Sequence, residues 1–116
     1  MTARDLLGEI VCIQPGFRAY WDGENYFQGG EDAFSACGVF CSFTHYFRSG
    51  HKRMAVAEIQ AIAALIGRCE NDATLRTAAY TCFLENIAGE AADQSIAPFL
   101  SRNAQEFMDR WRPGDA

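Results

Sequence analysis

The sequence is short of positive charge and lacks any long apolar run, strand pattern or catalytic signature, and each shortage removes a class of protein. Ten Lys and Arg stand against fifteen Asp and Glu in 116 residues, a net charge of -5. An acidic chain repels a phosphate backbone at long range, which disfavours nucleic acid as the main partner and favours a basic protein. No apolar run approaches the roughly 20 residues that span a bilayer, so no membrane-crossing helix is expected. The opening MTARDLLGEIVCIQPG has neither the basic start nor the small-residue cleavage site of a secretory leader, and the expected location is cytoplasmic. GxSxG, HExxH, a Gly-rich phosphate loop ahead of a helix and a Cys in a protease-like context are all missing. The chain is therefore read as non-catalytic and without a cofactor.

What is present is an ordinary globular balance, 49% hydrophobic and 22% charged, in a length that fills one core. The charge is uneven. Residues 1–32 carry Asp5, Glu9, Asp22, Glu24, Glu31 and Asp32 against Arg4 and Arg18, whereas residues 33–57 carry three bases and no acid. Within the acidic third, ENYFQGG is one Leu short of a common tag-removal protease site. The missing residue breaks the spacing of that site, and patterned sequence flanks it on both sides, so it is read as native.

Apolar spacing predicts an all-α fold of antiparallel helical hairpins in one bundle spanning residues 1–116, with a HEAT- or armadillo-like pairing left open. Thr2 and Asp5 make a capping-box start for a first helix that Pro15-Gly16 ends. FRAYWDGENYFQGG, residues 17–30, shows no period and is expected to be an irregular acidic and aromatic loop. A central helix is expected from Glu31 to Phe47, since its apolar residues go nearly all the way round. Ala55, Ile59, Ile62, Ile66 and Cys69 mark one face of the next helix, and Leu75 to Ile87 give another that stops at Gly89. After a polar stretch from Glu90 to Ser95, a last helix from Ser101 to Trp111 is expected to turn Phe107, Met108 and Trp111 inward.

The five cysteines sit inside apolar patterns, which predicts reduced, buried thiols. Cys37, Cys41 and His45 form an i, i+4, i+8 stripe of ligand-type side chains. Eight helical residues rise about 12 Å, too far for both ends to hold one small ion. Two of the three could bind with help from Cys69, Cys82 or His51. The expected reading is packing, with Cys37, Gly38 and Cys41 as small residues at a helix contact. The basic cluster HYFRSGHKR, residues 45–53, is read as a dipole-complementing Arg48 and an exposed tip with Lys52 and Arg53.

In AYTCFLENIAGE, residues 79–90, Asn86 falls on or beside the buried stripe, and its amide is expected to bond a neighbouring loop backbone. FLENIAG is similar to the inner helix of armadillo repeats, and that resemblance implies an Asn86 amide presented to an extended partner peptide. More broadly, residues 33–111 resemble a small bacterial all-helical family of unknown function with an FLEN-type helix and a C-terminal helix bearing Phe and Trp. Phe83 to Asn86 match the first element; Pro98, Ser101, Phe107 and Trp111 match the second. The resemblance implies an immunity or accessory protein of a toxin system.

The combined expectation is an immunity-type antitoxin that occludes a basic toxin or nuclease. Asp22, Glu24, Glu31 and Asp32 would steer the partner, and Tyr20, Trp21 and Tyr26 would anchor it, with Asn86 as a further contact. A lid formed by Tyr20, Trp21, Tyr26 and Phe27 folded back on the helices is the equal rival. A metal- or ligand-binding bundle using Cys37, Cys41 and His45, and a homodimer, stay open.

Overall fold

Thr2 starts the first helix as its spacing predicts: its hydroxyl accepts from the Asp5 amide at 3.1 Å, and the Asp5 carboxylate accepts from the Thr2 amide at 2.9 Å. Helix α1 (Ala3–Ile13) buries Leu6, Leu7 and Ile10. The computed structural model describes residues 1–22 and 34–114. Glu24, Tyr26, Phe27, Glu31 and Asp32 lie outside the described residues.

The segment expected to be irregular from Phe17 onward begins instead with a helix, α2 (Phe17–Asp22). Six residues are too few to display a period, and so short a helix depends on tertiary contact. Phe17 supplies it, fully buried and edge-on to Phe43 at 5.3 Å and Tyr46 at 5.4 Å.

Helix α3 (Ala36–Gly50) begins later than the sequence pattern suggests, because the Ser35 hydroxyl accepts from the Gly38 amide at 3.0 Å and caps it there. A 3-10 turn (His51–Arg53) leads to α4 (Val56–Cys69), whose Ile59, Ile62, Ile66 and Cys69 are buried on the expected face. Asp72 caps α5, residues 73–87, which runs as Ala73–Ala79, a π-helical segment Tyr80–Leu84 and a closing turn Glu85–Ile87. The polar stretch after it is helical: α6 (Ala91–Ile96) buries Ala92, Asp93 and Ile96. A 3-10 turn (Ala97–Phe99) precedes α7 (Arg102–Asp109), capped by Ser101.

The fold is all-α, with no strand among the described residues. Helix α3 is central as expected, packing on α1, α2, α5 and α6. Its Phe40, Phe43 and Phe47 meet Phe83 of α5 at centroid distances of 6.0, 5.5 and 5.4 Å, and this aromatic cluster is the middle of the core. The radius of gyration, 13.5 Å, is that of a compact globule of this length, for which about 13 Å is typical. Among the described residues no helix is long and apolar enough to cross a membrane.

Gly89, at φ 82°, ends α5 in the left-handed region. A Cβ there would stand 2.5 Å from Pro113 Cδ, so the site needs glycine on steric grounds as well. Its amide donates to Asp93 Oδ2 at 2.9 Å. Asp93 also receives Arg112 Nε and Nη2, each at 2.8 Å, in a forked pair that ties the C-terminal segment onto α6.

Candidate functional site

Helix geometry places Cys37 and Cys41 one turn apart on α3, facing Cys82 in the π-helical segment of α5. The packing of α3 on α5 brings the Cys37 and Cys82 Cα atoms to 5.5 Å, inside disulfide range, and the two are bonded. This corrects the expectation of reduced, buried thiols. Of the other cysteines, Cys69 is buried and free as expected, Cys41 is half-buried and Cys12 is exposed. Burial raises the Cys69 thiol to about 11 and also pushes the Cys41 thiol up.

Cys41 Sγ lies 3.8 Å from Cys37 Sγ, and the sulfurs of Cys37, Cys41 and Cys82 all lie within 4.8 Å of one another. The sulfur that joins Cys37 and Cys41 is therefore that of Cys82, and His45 is not part of the cluster. His45 is exposed. Eight residues along α3 also carry a side chain about 80° round the helix, away from the α5 contact. The backbone beside the cluster is linked to α3 through buried Thr44, whose hydroxyl proton is shared between Phe40 O at 2.8 Å and Cys82 O at 2.9 Å. A groove of about 610 Å³ opens beside the disulfide, with Ser35, Ala36 and Cys37 on one side and Thr77, Ala78 and Cys82 on the other.

A second feature lies on the α5 and α7 surface. Tyr80 meets Phe107 at a ring-centroid distance of 4.8 Å and Phe107 meets Trp111 at 6.3 Å, both pairs tilted, forming a row of three rings. Trp111, expected to face inward, is 50% exposed. The physical reason is the helix end: α7 stops at Asp109, and the Trp111 amide bonds Met108 O in a turn, so the ring leaves the stripe that Met108 and Ala104 bury. The inner end of the row is held by hydrogen bonds. The Tyr80 hydroxyl donates to Glu70 Oε2, which also accepts from Ser101 Oγ at 2.7 Å. Burial first, and then the Glu70 carboxylate, raise the Tyr80 hydroxyl to about 12, so it stays a donor at neutral pH.

The expected anchors of the acidic third are divided. Trp21 is only 3% exposed, against Phe17 at 6.3 Å and Phe34 at 5.2 Å, so it is a core residue and not an exposed anchor. Tyr20 is half-buried, stacked on Phe17 and edge-on to Tyr46. Asp22 is exposed. Glu24, Tyr26, Glu31 and Asp32 fall in the segment not described. The Asn86 amide, expected to bond a loop backbone, instead donates to Cys82 O of its own helix at 2.9 Å, while Asn86 O accepts from Arg48 Nη2 at 2.7 Å.

The basic cluster is dispersed in the same way. Arg48 pairs with Glu90 at 2.8 Å and His51 is buried, leaving Lys52 and Arg53 exposed. Two lone cations make a weak phosphate site.

No protein-family model, curated protein or solved structure matches the chain.

Proposed function

We propose that the chain is a non-catalytic protein-binding domain, with the Tyr80, Phe107 and Trp111 row as the seat of its partner. The observation that carries this reading is Trp111, half exposed at the end of a row of tilted rings whose inner member is fixed by Glu70 and Ser101. Large aromatic side chains on a rigid support are the usual anchors of protein interfaces, because they bury much surface for little lost conformational freedom. On this reading the anchor lies at the C-terminal helix, and Trp21, buried in the core, is not part of it.

The net charge of -5 supports a basic partner, since opposite charge speeds encounter. Together with the resemblance of residues 33–111 to the FLEN-type bacterial family, it supports an immunity-type antitoxin that occludes a basic toxin or nuclease as the finer form of the reading.

The test is co-expression with the product of the adjacent gene, followed by affinity measurement. Trp111→Ala weakens the complex about tenfold or more, equivalent to roughly 1.4 kcal/mol, while Trp21→Phe leaves the affinity unchanged. Equal affinities for wild type and Trp111→Ala would contradict the assignment.

A further inference from the structure

The Cys37, Cys41 and Cys82 cluster has no task in the protein-binding reading, and its geometry fits another. A tetrahedral zinc-type ion holds thiolate sulfur at about 2.3 Å, which sets neighbouring sulfurs about 3.8 Å apart. Cys37 and Cys41 already show that separation, 3.8 Å, from adjacent turns of α3. Cys82 completes a triangle from a second helix, with no sulfur more than 4.8 Å from another. In the disulfide-bonded protein, two of the three donors are tied up with each other.

We propose that reduction of the Cys37–Cys82 disulfide converts this cluster into a three-thiolate site for a thiophilic divalent cation of the zinc type. A dithiol reductant supplies two electrons and two protons, leaving Cys37 and Cys82 as thiols and itself as a disulfide. The cation then replaces the protons of all three thiols, and three protons pass to solvent. In the reverse direction a small-molecule disulfide accepts two electrons from the Cys37 and Cys82 thiolates and, with two protons from solvent, leaves as two thiols; Cys41 takes up a third proton and the ion is released, so the site is gated by redox state.

Two observations support a site that outlives the S–S bond. The Thr44 hydroxyl, shared between Phe40 O and Cys82 O, links α5 to α3 independently of the sulfurs, and the Phe40, Phe43 and Phe83 packing fixes the same two helices. The groove beside the cluster gives the reductant and the ion a route in, and the fourth coordination position an outlet to solvent. His45, Cys12 and Cys69 lie outside the cluster.

The test uses the full chain, reduced with a phosphine under anaerobic conditions and titrated with Co²⁺ as a spectroscopic substitute for zinc. The expected result is one equivalent bound, with a thiolate-to-cobalt charge-transfer band that Zn²⁺ abolishes. Cys41→Ser, which leaves the disulfide pair intact, should weaken apparent affinity at least tenfold and reduce the band. His45→Ala and Cys12→Ser should behave as wild type, and the oxidised protein should show no band. Absence of the band in reduced wild type would overturn the proposal, whether or not helicity survives reduction. A band unchanged by Cys41→Ser would overturn it as well, by assigning the metal to other residues.

Discussion

The Thr44 hydroxyl of α3 shares its proton between Phe40 O of its own helix and the Cys82 carbonyl of α5, so a shared hydrogen bond and a disulfide join the same two helices at Cys82. Cys82 sits in the π-helical segment, and its carbonyl also receives the Asn86 amide. Irregular turns of this kind recur at functional positions, where a ladder carbonyl is freed for side-chain donors.

The disulfide spans 45 residues of sequence, and closing a loop of that size restricts the unfolded chain. Reduction is expected to lower unfolding free energy by about 2–4 kcal/mol. Thr44→Val is expected to cost about a further 1 kcal/mol by removing a buried hydrogen bond. Urea denaturation followed by circular dichroism, with and without reductant, measures both. Unchanged stability on reduction would show that the bond adds nothing to a packing already complete.

Asp93 and Arg112 yield a pH-dependent prediction. Burial alone would raise the Asp93 carboxyl, but the Arg112 hydrogen bonds, the Gly89 amide and the Arg112 charge together hold it below its ordinary 3.8. A carboxyl depressed in the folded state contributes stability that is fully present above the unfolded value and is lost as pH falls through the folded one. Acid denaturation should therefore steepen below about pH 4 in wild type and be flatter in Asp93→Asn. At neutral pH, Asp93→Asn should cost about 2–3 kcal/mol, at or below the low end for a buried pair because Arg112 is partly exposed.

His51 acts in a separate window. Its ring is buried, with Nδ1 2.6 Å from Ser95 Oγ, and burial first, then the Lys52 charge, lowers its pKa below the ordinary 6.5. As pH falls, the unfolded chain takes up the proton before the folded one does. The stability owed to neutral His51 is complete above 6.5 and is lost as pH falls through the folded value. Midpoints of urea denaturation at about pH 7.5 and 5 should differ in wild type and converge in His51→Gln. A wild-type midpoint constant across that range would contradict the assignment.

Much of the fold was legible because its signals are local. The Thr2 and Asp5 box, the Ile59, Ile62 and Ile66 face and the all-round apolar α3 each lie within a few turns of helix. The candidate sites were less legible because they depend on relations between helices. The sequence stripe correctly grouped Cys37 with Cys41, but Cys82 joins them only through the packing of α3 on α5, 45 residues away. His45 shared the stripe on paper, yet helical rotation carried it off the contact. Trp111 was misread through a boundary of two residues: with α7 ending at Asp109, the ring swings outward. For Trp21 the sequence left exposed anchor and folded-back lid equally open, since nothing local distinguishes a buried Trp in a six-residue helix from an exposed one in a loop; its burial agrees with the lid alternative at that residue.

The protein-binding claim is tested most directly by site-specific photocrosslinking in the native host. A benzophenone-bearing amino acid is placed at position 111, with exposed Gln60 of α4 as the control position. A single covalent adduct with a second, basic protein is expected from position 111 and none from position 60. No adduct at position 111, or an adduct only with another copy of this chain, would contradict the protein-binding claim.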